Sequence, residues 1–166
     1  NGCGKSTLVK LLLGDLQPRS GEIFRGARLD VAYFDQNRAQ LDPDASVAHN
    51  VADGMDTVAI GGGKKHVIGY LGDFLFTPDR ARSPVSMLSG GERALTAIAL
   101  ICAIINSNPS PFVVLDEVDA ALDEANSERL AKILDELSHK TQFITITHNR
   151  ATMRKANILY GVTMGD

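Results

Sequence analysis

The chain has 166 residues, 44% of them apolar, and a domain of this size buries about 68–70% of the surface its unfolded form exposes. Its formal net charge of −3 excludes the basic footprint of a protein that grips nucleic acid or an anionic membrane with its own surface. Cys3 and Cys102, the two cysteines, make no disulfide framework and suit a reducing, cytoplasmic setting, and no apolar run approaches the about 18 residues of a membrane span.

In chain order, Asn1-Gly2-Cys3-Gly4-Lys5-Ser6-Thr7 reads as the end of a Gly-x-x-x-x-Gly-Lys-Ser phosphate loop. Bare backbone N–H groups there curl around phosphate oxygens, Lys5 reaches the β- and γ-phosphates, and the Ser6 hydroxyl takes a place on Mg²⁺. The field at a helix end is worth only about 0.3–1 kcal/mol to an anion. Affinity must therefore come from many donors, each charged hydrogen bond adding about 1.5–3 kcal/mol. Cys3 reads as a small residue filling a tight turn. The loop's first glycine would fall two residues before Asn1, and the strand that feeds the loop is missing from the sequence. The chain is therefore expected to be a fragment whose sheet lacks its N-terminal strand.

Residues 6–13 predict a helix ended by Gly14-Asp15, residues 17–21 a turn, and 22–24 and 29–34 short strands, the second closed by Gln36. A short helix over 46–55, a flexible turn at Gly61-Gly62-Gly63 and a helix over 66–76 follow. Thr77-Pro78 marks an N-cap and first helical position, and Ser83-Pro84 interrupts that helix. Then come a long apolar helix over 91–105, a loop over 106–111, a buried strand over 112–115, an amphipathic helix over 124–137, and strands over 142–147 and 158–164. Strands alternating with helices predict an α/β fold with a mainly parallel sheet covered on both faces. Residues 1–40 and 106–166 form its core and about 41–105 a small helical subdomain, all within one domain over 1–166.

Three further places carry chemistry. Asp116 ends an apolar strand, where a carboxylate holds Mg²⁺ through water, and Glu117 beside it points to where an attacking water would sit. Taken alone, the pair reads equally well as two solvated carboxylates at a strand end. His148 follows the apolar strand and reaches the sheet's carboxyl edge, close enough to contact a γ-phosphate or hold Glu117. A lone histidine there is more often structural, and His49, His66 and His139 are read as surface or packing residues. Gln36 reads as a Mg²⁺ ligand or γ-phosphate sensor, against an ordinary strand-end amide. Ser89-Gly90-Gly91 opens the long helix, and its free N–H groups make a second anion site.

These motifs, in this order, resemble a P-loop NTPase of the ABC ATPase type over nearly the whole chain. That resemblance implies ATP and Mg²⁺ as ligands. It also implies a homodimer, or pairing with another ABC domain, head to tail with ATP between the phosphate loop of one and Ser89, Gly90 and Gly91 of the other. Asp123 in Ala121-Leu122-Asp123 would lie at that seam, where the resemblance assigns the D-loop, against a plain helix N-cap.

Two subfamilies are represented. Val31-Ala32-Tyr33-Phe34-Asp35-Gln36, Arg38-Ala39-Gln40-Leu41-Asp42-Pro43, and His66-Val67-Ile68-Gly69-Tyr70-Leu71 through Phe76-Thr77-Pro78 make residues 1 to about 87 similar to the ABC-F, Uup-like branch. From about 88 onward the chain resembles the C-terminal head lobe of SMC proteins. Leu88-Ser89-Gly90-Gly91-Glu92-Arg93-Ala94-Leu95, Leu115-Asp116-Glu117-Val118-Asp119-Ala120-Ala121-Leu122-Asp123, Ile146-Thr147-His148-Asn149-Arg150 and Leu159-Tyr160-Gly161-Val162-Thr163-Met164 carry that likeness. An ABC-F protein would place Pro-Thr-Asn after Glu117, and an SMC protein would separate its lobes by a long coiled coil. The junction falls at the Leu-Ser-Gly-Gly-Glu stretch common to both, so a chimera is expected. Packing of Leu95, Ile98 and Leu100 against 66–76 would then have no shared history, and cavities would cost about 2–5 kcal/mol per poorly filled side chain.

The leading expectation is an ATPase whose nucleotide-driven dimerisation moves attached parts, with Glu117 as general base. The alternatives are a nucleotide-binding module without turnover and a structural fusion that binds nothing. The resemblance implies ribosome-linked translation control or DNA branch handling for the first half and chromosome organisation for the second, through regions outside this chain.

Overall fold

The computed structural model describes residues 4–24, 26, 31–35 and 41–162, with the side chains of Ser6 and Asp35 outside that description. Helix α1 (Lys5–Leu13) leaves Gly4 and stops at Gly14, a left-handed cap whose N–H donates to Lys10 O. Strand β1 (Val31–Asp35) follows. Helix α2 (Val47–Ala52) is capped by the Ser46 hydroxyl, and strands β2 (Thr57–Ile60) and β3 (Gly63–His66) pair antiparallel. Next come α3 (Val67–Gly72), α4 (Pro78–Arg82), a 3-10 turn over Val85–Met87, and the long α5 (Gly90–Ser107). The chain closes with β4 (Phe112–Asp116), α6 (Glu124–Leu137), β5 (Gln142–Ile146) and α7 (Arg150–Lys155).

Strands β1, β4 and β5 form a sheet in the order β1-β4-β5, both pairs parallel. The middle strand β4 is a continuous apolar run with Val113, Val114 and Leu115 buried, as expected for a parallel strand covered on both faces. Its register aligns Asp35, Asp116 and Ile146 at one edge, so the strands' carboxyl ends collect the site residues. Helix α6 buries Ser127, Leu130, Ala131 and Leu134 at helical spacing. One core joins the elements: Val47, Leu71, Phe74, Leu95 and Ile98 belong to the same buried cluster as Val113, Leu115, Leu130 and Leu134.

Several expectations are corrected. Residues 22–24 form no strand; Phe24 is exposed instead of packed. The turn expected at the glycines 61–63 is the tight bend of a hairpin. Gly61 and Gly62, at φ 57° and 84°, make the two-residue bend of the β2/β3 hairpin, the conformation that favours glycine at both positions. The helix expected over 66–76 ends at Gly72, with Leu75 left-handed at φ 65°, and His66 caps it by accepting from Ile68 N through Nδ1. The helix over 46–55 stops at Ala52, where Asp53 takes a left-handed φ of 50°.

Helix α7 was not anticipated. Residues 158–162 form no strand, and Ile158, Leu159 and Tyr160 are exposed. An apolar run becomes a strand only where a neighbour supplies its ladder; residues 163–164 of that expected strand lie outside the described residues. Poor packing between 66–76 and α5 does not follow either. Leu71 is fully buried, Leu95 and Ile98 are buried in the same cluster, and the Tyr70 hydroxyl donates to Ala99 O at 2.8 Å.

Candidate functional site

At the carboxyl edge of the sheet the first turn of α1 brings Lys5 to residues that lie far away in sequence. Its ammonium donates to Glu117 Oε1 at 3.1 Å and to His148 Nε2 at 2.7 Å, and His148 Nε2 lies 3.4 Å from Glu117 Oε1. A lysine ammonium can only donate, so this contact assigns His148 Nε2 the acceptor role. The hydrogen bond from Lys5, ahead of the attraction of its charge, holds the Glu117 carboxyl below the usual carboxylate range.

Glu117 is held under strain. Its φ of 54° is left-handed, a conformation that costs a non-glycine residue about 1–3 kcal/mol and concentrates at functional sites. The backbone secures it, with Glu117 N donating to Ile146 O at 2.9 Å and Ala120 N to Glu117 O at 3.2 Å. The bend turns the side chain from the sheet toward Lys5.

Asp116, one residue earlier, accepts at Oδ2 from the Tyr33 hydroxyl at 2.9 Å. Tyr33 carries no signal in the sequence beyond strand alternation; only the β1/β4 register places it beside Asp116. Asn1, Gly2, Cys3 and Gln36 lie outside the described residues, as does the side chain of Ser6, while Thr7 continues α1.

Ser89 is the N-cap of α5 and accepts from Glu92 N, while Glu92 Oε2 accepts from Ser89 N at 2.9 Å and Ser89 Oγ at 2.8 Å. The backbone bond from Ser89 is the first cause of a lowered Glu92 carboxyl. Arg80 closes the arrangement by donating to both Glu92 oxygens, at 3.0 and 2.9 Å. A Cβ at Gly91 would meet Ala121 O at 3.7 Å, so Ala121 lies against the start of α5. Asp123 caps α6, accepting from Asn126 N at 2.8 Å. The sheet edge thus unites Lys5, Glu117 and His148 with Asp116 adjoining, while Ser89, Gly90 and Gly91 begin another helix beside Ala121.

Sequence reasoning also passed over Asp119, Thr147 and Asn149. Asn149 is the N-cap of α7, accepting from Ala151 N at 2.9 Å; an Asn followed by a short helical run is a cap signal. His49 and His66 serve α2 and α3 locally: His49 N donates to the Ser46 hydroxyl and His66 caps α3.

A lysine at the start of a helix, facing carboxylates at the ends of parallel strands, together with a glycine-led capped helix, defines a P-loop NTPase domain of the ATP-binding-cassette type. A dimeric ATP-binding cassette in a post-hydrolysis state bound to ADP and Pi has this fold, with a TM-score of 0.60 at 21% identity, covering 93% of this chain and 74% of that one. The family model for the RecF/RecN/SMC N terminal domain matches residues 37–166, and the chain belongs to that family. It is 49% identical over 154 residues to the ATP-binding protein Uup of Haemophilus influenzae, covering 89% of this chain and 23% of that protein. Over 87 residues, 52% of this chain, it is 58% identical to the chromosome partition protein Smc of Bacillus subtilis, covering 7% of that protein. The chain therefore spans about a quarter or less of the curated relatives it matches. Both subfamily resemblances are found, but the likeness to Uup covers 89% of the chain and so runs well past residue 87, where it was expected to end.

Proposed function

We propose that the chain is the nucleotide-hydrolysing part of an ATPase that takes ATP with Mg²⁺ and yields ADP and phosphate. The observation that carries this reading is the Lys5 ammonium lying 3.1 Å from Glu117 and 2.7 Å from His148 at the sheet's carboxyl edge. Phosphate oxygens arriving at Lys5 compete for an ammonium that Glu117 neutralises, so binding frees the carboxylate to take a proton from water. A positioned base contributes about 10²–10⁴ in rate. His148, accepting from Lys5, lies where a terminal phosphate would be read.

The donor set fits Mg²⁺. Among the described residues no three His, Cys, Asp or Glu form a self-sufficient cage, and Mg²⁺ is commonly bound through one or two carboxylates plus substrate phosphates. Asp116 would hold it, with Ser6 and Gln36 as the further ligands the sequence suggests. When bound, the ion neutralises charge developing on the phosphates. Asn1, Gly2, Cys3, Gly4 and Thr7 would line the phosphates.

Ser89, Gly90 and Gly91 would complete the site of a second copy packed head to tail, with Asp123 at the seam. An ATP-binding cassette of this fold is dimeric in a post-hydrolysis state bound to ADP and Pi, which supports pairing of two domains. No described helix is long and apolar enough to cross a membrane. Any work on a ribosome or DNA would fall to parts attached to this domain.

Phosphate release from Mg-ATP tests the reading directly. Hydrolysis with a thermal shift is expected, since ligand at about 100-fold over its Kd adds about 2.7 kcal/mol. A shift without phosphate release would make the chain a binding module, and neither would leave a structural piece.

A further inference from the structure

We propose that Asp119 is a positioning residue that fixes His148 against Lys5 and Glu117; this rests on reading that cluster as the reacting end of the site. Asp119 is buried, with only 2% of its surface exposed. Its Oδ2 accepts from Thr147 Oγ1 and from Thr152 Oγ1, each at 2.7 Å. The Thr147 hydroxyl in turn accepts from Asn149 N at 2.8 Å. The backbone of His148 is thus bracketed on both sides by a hydroxyl that Asp119 orients.

The bracket extends outward through Asn149, whose side-chain amide donates to Ser127 Oγ at 2.5 Å and whose oxygen caps α7. His148 itself has a side chain that is 72% exposed, so little packing holds the ring. Its place comes from the segment beneath it. Asp119 lies on the bend that carries Glu117, with Leu122 N donating to Asp119 O at 3.1 Å. One carboxylate therefore ties the segment bearing Glu117 to the segment bearing His148. A buried acceptor bonded by two hydroxyls is both stronger and costlier to leave unmade than an exposed one.

The test is amide hydrogen exchange and histidine-ring NMR on the full chain. In Asp119→Ala, the Asn149 and Ala151 amides should exchange about tenfold faster or more and the His148 ring signals should shift, while the amides of β4 keep their protection. Asp119→Asn, whose amide oxygen keeps two acceptor positions, should restore most of both. Thr147→Val removes the linking hydroxyl with the carboxylate in place and should also move the His148 signals, which keeps the idea testable if the alanine variant fails to fold. Unmoved His148 signals, or loss of protection spread equally over β4 and α6, would overturn it.

Turnover gives a second arm. Asp119→Ala should lower kcat about tenfold with the KM for ATP nearly constant, and should cost nothing more when placed on His148→Ala; full additivity there would show a merely structural role. If the wild-type chain hydrolyses no ATP, the functional reading fails while ring NMR still decides Asp119. If turnover is robust but Asp119→Ala matches wild type in both kcat and ring signals, Asp119 fails alone.

Discussion

Helix α1 starts at Gly4, at φ 87° with no side-chain cap, whereas α5 starts at Ser89 with both bonds of a capping box made and Arg80 clamped on Glu92. The first start is held from outside, by the side chains of Glu117 and His148 reaching Lys5. The second is closed on itself. Charges in a partly open setting exchange partners readily, while a capped helix with its carboxylate committed keeps its shape. On the proposed reading, one end of the molecule trades Glu117 for phosphate and the other presents a fixed glycine-led helix start.

The largest expected effect breaks the exchangeable end. Glu117→Gln keeps shape but removes the base, and phosphate release should fall by about 10²–10⁴ while an ATP-bound dimer accumulates on size exclusion with light scattering. Undiminished turnover would assign the base elsewhere. Next comes the core beneath both helix starts. Leu71 is fully buried in the cluster shared with Leu115, and Leu71→Ala should cost about 2–5 kcal/mol. At about 2–4 °C per kcal/mol for a chain of this size, calorimetry should show one lowered transition. Two separate transitions would mean that the helical part and the sheet melt independently.

How legible was this contrast? The helix starts were legible because their signals are local, Ser89 before two glycines and Asp123 before an amphipathic run, but the capping box of Ser89 with Glu92 and the Arg80 clamp went unread. The β2/β3 hairpin escaped because glycines that permit a tight bend also suit a loose one, and only pairing of Thr57 with His66 decides between them. The apolar run at 158–162 misled for the complementary reason: propensity without a ladder makes no strand. At the exchangeable end, residue types could be named but not their meeting, since Lys5 is 112 residues from Glu117 and 143 from His148. The left-handed Glu117 and the burial of Asp119 left no mark in composition, because a carboxylate in a charged stretch ordinarily reads as solvated.

Smaller effects sharpen the fixed end. Ser89→Ala deletes the cap and should cost about 0.5–2 kcal/mol, read in thermal melts. Arg80→Ala removes a partly exposed ion pair and should cost less, about 0.2–1 kcal/mol. A larger loss from Arg80 than from Ser89 would reverse the ranking and make the clamp, not the cap, the principal support of α5.

The smallest effect concerns pH. The Glu92 carboxyl is held below its ordinary range, first by the Ser89 N–H and only later by Arg80. For a depressed carboxylate the stabilisation is complete above the unfolded-state value and is lost as pH falls through the folded one. The stability gap between wild type and Glu92→Gln should therefore be full at neutral pH and close on acidification below the usual glutamate range, with other carboxylates cancelling between the two proteins. Salt separates the causes, because at 1 M the screening length is about 3 Å, which weakens the attraction of Arg80 but leaves the backbone bond. Most of the gap should survive high salt; a gap that salt abolishes, or that stays constant with pH, would show that Glu92 is anchored by charge or not at all, and that the closed helix start is less fixed than its geometry implies.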